Sequence, residues 1–415
     1  MIYQDAIKDE DIIDGLDVRY LKFFGLWKII NDYRTSGKRN VVVKLHLLLT
    51  ILVSVPYVFL QYMSYFFIDV DMQKATYLNV NTLPAIQACC KVLVLWTRLG
   101  SICKLSGLMK KEFIEISEEN KAAASEICKK ITYKSNILYK TALCMNAGSA
   151  VVYLLSPGIS VDYILYHTGN MAAVTTGRKK HLAAWYPLPF DNSPYFEIVF
   201  AFEALLISWD AIILVVYICM YYQILTCLYV QFTLLGLQMS SLKNENIKKK
   251  DNIIKKADRT TYDKLYRALE SHKELLSYTN ELKTVYNPLV TMILGIGIFV
   301  LIMSVFQFLF SKTGDIMVII KSLQFLGFHG LEVSMFCFGS SAIESASSEL
   351  DFAIYSSYWY EGDNRFKMAV QMVTMRAKKG MTLTAIRMLP INLETMVSIF
   401  KFTYSTAAFM SSVTE

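Results

Sequence analysis

Between Ile198 and Met239 the chain runs for 42 residues interrupted by only two ionisable side chains, Glu203 and Asp210. As a helix this run is about 63 Å long at 1.5 Å per residue. The hydrocarbon of a bilayer is only about 30 Å thick. A helix of this kind crosses the membrane and continues well beyond it, where its apolar surface needs a protein partner. The run therefore predicts two things at once: a membrane-spanning bundle and a packed helical region outside the bilayer. It opens at Ser193-Pro194, and proline suits a first helical turn.

The rest of the chain agrees. Of its 415 residues 54% are hydrophobic, mean hydropathy is +0.35, and charged residues make up 19%. A soluble domain carries about 25% charged residues. The net charge of +7 is no signal for nucleic acid, because the Lys and Arg sit between the apolar runs. Residues 1–40 mix acids and bases around one island, Tyr20 to Trp27, and no signal peptide is expected. Further spans are expected at Val41–Phe67, about Thr76–Ser101, about Ile137–Leu155, Tyr286–Phe310 and Ile316–Phe338, with a last one after Pro390. Lys104–Lys134 is expected to continue the second span as a charged helix, and Lys243–Lys283 to form a solvated helix pair. Ser311–Asp315 should be a tight turn. No internal repeat is visible, which disfavours an inverted-repeat transporter.

The distribution of Lys and Arg orients these seven spans. Segments 1–40, 104–134, 240–284 and 340–389 hold seven, seven, eleven and six, and the intervening connections hold one, three and one. By the positive-inside rule the N-terminus is cytoplasmic, the C-terminus is outside, and the long fourth helix projects inward. The segments read as 1–40 cytoplasmic, 41–338 six spans, 339–389 cytoplasmic assembly helices and 390–415 the seventh span. All eight Cys lie in segments placed in the membrane or inside, so no extracellular disulfide is expected.

The last span is unusual. Pro390 should break any preceding helix, Asn392 should cap the new one, and Glu394 suits its positive end. From Thr403 to Val413 seven of eleven residues are Ser, Thr or Ala. Small hydroxyl residues permit close helix contact and cross-helix hydrogen bonds. Two readings stay open on composition: a packing helix in a single bundle, or a pore helix facing water.

No H-E-x-x-H, phosphate loop or G-x-S-x-G is present, and the five His are scattered. Catalytic residues, metal ligands and cofactors are therefore none. Glu203 and Asp210 in a span should face the bundle interior or water, and Lys91 and Arg98 should snorkel or pair with acids. The two acids are not assigned to a ligand.

In order along the chain, the following elements resemble the insect odorant receptor family: Phe24-Gly-Leu-Trp27, Tyr186-Pro-Leu-Pro-Phe-Asp191 with Ser193-Pro-Tyr195, Ala353-Ile-Tyr355, Tyr358-Trp-Tyr360, Thr374-Met-Arg-Ala377, Pro390 to Thr395, and Thr403-Tyr-Ser405. The resemblance implies an all-α, seven-helix membrane protein with a cytoplasmic N-terminus. It implies an odorant-gated, non-selective cation channel in which a tuning subunit joins an obligate co-receptor as a heterotetramer in the plasma membrane of a sensory dendrite. The co-receptor carries a large insertion between its fourth and fifth spans, and the ordinary 240–284 connection here implies the tuning subunit. A gustatory receptor, with T-Y-x5-Q-F in its last helix, fits less well, because Met410 and Ser411 stand where Gln and Phe would be. A metabotropic receptor would need the opposite orientation.

The family's ligands are small, volatile and apolar, and its site lies in the outer halves of the second, third, fourth and sixth helices. The candidates there are Leu83, Gln87 and Cys90; Asn146, Ser149 and Tyr153; Phe202, Leu205, Leu206 and Trp209; and Met317 and Ile320. Plain helix packing is the favoured explanation of any one of them taken singly. Assembly is expected to involve Tyr358, Trp359 and Tyr360. The pore stripe is expected at Thr403, Ala407, Met410 and Ser411, with Met410 its bulky member; Ser405 and Ser412 put hydroxyls on the opposite face too.

Overall fold

A helix can satisfy every backbone polar group internally, which is what an apolar solvent demands. The computed structural model describes residues 5–68, 72–159, 180–182, 184–187, 194–242, 259–310, 316–357, 359–361, 363–386 and 388–414. Two short helices, α1 (Arg19–Phe23) and α2 (Leu26–Ser36), precede α3 (Val41–Phe67), α4 (Met72–Leu105), α5 (Lys121–Ile159) and α6 (Tyr195–Ser240). Then come α7 (Arg259–Phe310), α8 (Ile316–Ser348), α9 (Leu350–Tyr355) and α10 (Asn364–Ala377). A two-stranded hairpin, β1 (Thr384–Ala385) and β2 (Leu389–Pro390), leads into α11 (Leu393–Thr414). Five helices, α3 to α7, contain stretches long and apolar enough to cross a membrane. Helices α8 and α11 are also long, at 33 and 22 residues.

The first span has the expected bounds, and Asn40 caps it by accepting from the Val42 amide at 3.4 Å. Its side chains Leu45, Leu48, Leu52, Val55 and Phe59 are exposed, as lipid-facing residues must be. Helix α6 changes character along its length. Ile198 and Leu205 in its first third are more than half exposed, whereas every residue from Ile213 to Tyr221 is buried. The over-long apolar run thus finds its partner within the chain, against α4, α5, α7 and α8.

The N-terminal segment belongs to this core. Leu21 and Leu26 are fully buried, and the Arg34 guanidinium donates to the Cys103 carbonyl at 2.9 Å and to Ser106 Oγ at 3.2 Å. Gly25 begins α2 with φ +77°, a left-handed conformation that a side chain resists and that turns α1 into α2. Nearby, a two-pronged Arg19–Asp17 ion pair holds the Asp17 carboxyl well below the usual carboxylate range.

Three expectations are corrected. The 104–134 stretch is not one helix: α4 ends at Leu105, short 3-10 turns follow to Asn120, and α5 begins at Lys121. Leu108 and Met109 tuck into the core there, and Gln231 donates to the Leu108 and Lys110 carbonyls at 3.0 and 3.1 Å, so the turn is built around an apolar plug. Residues 259–284 are not a helix separate from the fifth span but continue unbroken into it as α7, 52 residues long. Pro390 ends no helix, because it lies in β2, while Asn392 does cap α11 by accepting from the Thr395 amide at 2.9 Å. The expected turn 311–315, residues 243–258 and most of the 156–192 loop lie outside the described residues.

Candidate functional site

The apolar core divides in two. A large cluster runs from the N-terminal segment to Ile399 in α11. A small one joins Val53 and Tyr57 of α3, Ala85 of α4, Tyr153 of α5, and Val199 and Leu206 of α6. Against this small cluster lies a cavity of about 80 Å³. Its wall is mostly apolar, from Pro84, Leu206, Leu214, Phe325 and Phe328, with polar groups from Tyr57, Asn81, Asn146, Ser149 and Asp210. An apolar, aromatic-lined cavity with a few polar groups is the form a small-molecule site takes.

One end is closed by the segment before α6. Glu203, fully buried, accepts from the Leu182 amide at 3.1 Å and from the Tyr186 hydroxyl at 2.8 Å. The Trp185 amide donates to Ser64 Oγ at 2.9 Å, and its ring stacks on Phe67 at 4.1 Å between centroids. Leu182 is thereby held in the cavity wall. At the side, Tyr153 meets the edge of Phe325 at 5.5 Å and carries the Lys321 ammonium 4.5 Å from its ring centroid.

Next to the cavity lies a buried charge network. Lys91 and Glu332 pair at 2.9 Å with side chains 1% exposed. The Lys91 ammonium also donates to the carbonyl of Leu214, a cavity residue, at 3.1 Å. Gln87 donates to both Glu332 oxygens at 3.1 Å, and His329 Nδ1 lies 3.0 Å from Oε2. Lys91 is thus paired with an acid, as the sequence suggested.

Of the expected ligand residues, the fold brings Asn146, Ser149, Tyr153 and Leu206 together in the cavity wall. Gln87 is bound to Glu332 instead. Leu83 and Cys90 are half-buried on α4 away from the cavity wall, and Leu205 is 53% exposed on the outer face. Phe202 packs against the small cluster from outside, and Trp209 donates to Thr50 Oγ1 at 3.1 Å. Met317 and Ile320 are half-buried on α8, short of Phe325. Sequence reasoning missed Tyr57, Asn81, Asp210, Leu182, Phe325 and Phe328. On α6 the error is one of phase: Leu206, Asp210 and Leu214 recur every four residues, and the ionisable member of that stripe was its marker.

For the pore stripe, Thr403 and Ala407 are buried at 4% and 0%, and Met410 is half-buried. Ser411 is described only by its place in α11. Phe402, Tyr404 and Phe409 are exposed on the remaining faces. In the assembly region Tyr358 lies outside the described residues, Trp359 is half-buried and Tyr360 is 55% exposed. Among the described residues no group of His, Cys, Asp and Glu is arranged to hold a metal.

The 7tm Odorant receptor family model matches residues 74–404. Odorant receptor 24a of Drosophila melanogaster is 30% identical over 195 residues, 45% of this chain and 46% of the relative. The odorant receptor coreceptor of Aedes aegypti is 35% identical over 69 residues, 16% of this chain and 14% of that protein. The chain thus spans about half or less of the length of these relatives. The solved structure of the insect olfactory receptor OR5 from Machilis hrabei in complex with eugenol matches with a TM-score of 0.76 at 14% identity, covering 95% of this chain and 98% of that one. At that identity the likeness is one of fold.

Proposed function

The chain belongs to the 7tm odorant receptor family, and from that premise we propose that it is the odorant-binding tuning subunit of a ligand-gated, non-selective cation channel built with a co-receptor as a heterotetramer. The family is one of multi-pass membrane receptors, not enzymes. The observation that carries the proposal is the mostly apolar cavity lined by α3, α4, α5, α6 and α8, with a few polar groups in its wall. The tuning role, rather than the co-receptor role, is supported by the longer alignment to Odorant receptor 24a. The working place is the plasma membrane of a sensory dendrite.

Assembly has a surface to use. Met368, Met372 and Met375 recur at i, i+4 and i+7 on α10 and are 58%, 58% and 68% exposed. Phe352, Tyr355 and Tyr360 add further exposed aromatic area. An apolar patch of this kind marks a contact with another chain, and methionine suits a surface that packs against varied partners. Burying one large apolar side chain there contributes about 1.5–3 kcal/mol. The test is a panel screen of small volatile compounds in cells expressing this chain with and without a co-receptor. Odorant-evoked current should need both chains. Met372→Asp should reduce co-purification with the co-receptor, and the current with it, by tenfold or more, about 1.4 kcal/mol per tenfold. Current from this chain alone would remove the co-receptor from the proposal, and current in neither arm would remove odorant gating.

We also propose seven spans, with α8 and α11 joining α3 to α7, a cytoplasmic N-terminus and an external C-terminus. The support is the alternation of Lys and Arg between connections. An epitope before Met1 should be labelled only after permeabilisation, and one after Glu415 in intact cells. The reverse pattern would fit a metabotropic receptor and not this channel.

A further inference from the structure

Asp210 stands apart from every other ionisable group in the membrane part of α6. Glu203 has both oxygens occupied by the segment that closes the cavity. Asp210 lines the cavity itself and is 8% exposed. Its Oδ1 accepts from Ser54 Oγ at 2.7 Å, and among the described residues it has no other hydrogen-bond partner and no basic side chain at ion-pair distance. A carboxylate offers roughly four acceptor positions. Burying one in apolar surroundings is costly unless those positions are met. Among the described residues none of the other neighbouring polar groups bonds to Asp210: Asn81 directs an amide N–H to the Tyr77 carbonyl at 2.8 Å, and the Tyr57 hydroxyl accepts from the Gln61 amide.

We propose that Asp210 sets the ligand class: the cavity takes a small, mostly apolar molecule whose polar end is a hydrogen-bond donor, a hydroxyl or an amine. It disfavours acceptor-only molecules of the same shape, such as ethers and aldehydes. The inference rests on the cavity being the odorant site. A donor supplies the partner that Oδ2 lacks. With Asp210 ionised, an acceptor-only ligand turns its lone pairs towards those of the carboxylate and leaves it unpaired, so attraction and exclusion act in the same direction. A site that hydrogen-bonds its ligand also rejects the analogue lacking the matching group, because the buried polar group of the site is then left unpaired.

The test uses the full receptor with its co-receptor and matched sets on straight, branched and aromatic skeletons, each as primary alcohol, primary amine, methyl ether and aldehyde. On any skeleton that activates, the alcohol or amine should act at a concentration about tenfold or more below the ether and aldehyde. Asp210→Leu should raise the alcohol and amine concentrations about 10- to 100-fold and, by removing the exclusion, lower those of the ether and aldehyde. Asp210→Asn keeps the shape and adds a donor, so it should shift the balance towards the acceptor-only members even where Asp210→Leu fails to reach the surface. Ser54→Ala removes the helix-to-helix bond only and should keep the preference. Equal potency of ether and alcohol in the wild type would overturn the assignment while odorant gating stands. A preference that survives both Asp210 variants would do the same. Silence of surface-expressed wild-type channels towards every skeleton would remove odorant gating, and this inference with it.

Discussion

Lys91→Met should destabilise the receptor by about 3–5 kcal/mol, the usual cost of stranding one member of a buried ion pair. The double change Lys91→Met with Glu332→Gln should recover most of that loss. The reason is the setting of the pair. Both side chains are 1% exposed, and Glu332 keeps Gln87 and His329 as neighbours after its cation is gone. Those two hydrogen-bonding neighbours do not replace the lost cation, and an uncompensated carboxylate remains in the bundle. Replacing the carboxylate as well leaves a neutral amide that still accepts from one partner. Thermal unfolding of the purified complex in detergent, read by loss of the monodisperse peak, checks both variants in one cycle. A single variant as stable as the wild type would mean that Lys91 and Glu332 contribute nothing as a pair. The pair also reaches the cavity, because Lys91 holds the Leu214 carbonyl and His329 follows the cavity residue Phe328. The same variants should therefore alter ligand potency even where folding is rescued.

How much of this could be read from residues alone depended on the kind of force involved. Span positions follow from one-dimensional apolar length, so Val41–Phe67 has its expected bounds and the 42-residue run lies inside α6. That the far part of α6 needed protein around it also followed, because an apolar helix beyond the bilayer has no other solvent. The helix partner of each face did not follow. On a helix buried on nearly all sides, as α6 is from Ile213 onward, periodicity carries no phase. Of the stripe Leu206, Asp210 and Leu214, only Leu206 was among the expected ligand residues, together with Phe202, Leu205 and Trp209 on other faces. Gln87 was a sound polar candidate whose use was decided by Glu332, 245 residues away, which no local pattern encodes. The hairpin at 384–390 was also out of reach. Its turn places Ile386, a β-branched residue, at φ +53°, with its amide donating to Thr291 Oγ1 at 2.9 Å. Local propensity argues against that conformation, and a contact from α7 holds it.

Cysteine substitution along α11 should divide the helix into a face that thiol reagents reach in open channels and a face they do not. If the helix lines a pore, the reactive face is Ala407, Met410 and Ser411, and a charge there depresses cation current by roughly tenfold through its local field. Within one chain Thr403 and Ala407 are buried, whereas Ser405, Phe409 and Ser412 are exposed. A pore on the first stripe therefore requires α11 to shift against α7 and α8 when the channel opens, since those are the helices it packs on. Thr403 Oγ1 is buried without a hydrogen-bond partner among the described residues, a cost that contact with pore water would relieve. Ala407 leaves the narrow point wide, so Met410 with bulkier residues of the partner subunits would form the dry ring that closes it. Modification at 407 and 410 should be faster with odorant than without, and Met410→Lys should reduce current in channels that still reach the surface. Reactivity confined to Ser405, Phe409 and Ser412, independent of odorant, would place the wet face on the opposite side of α11 and make the Thr403–Ala407 stripe a packing seam.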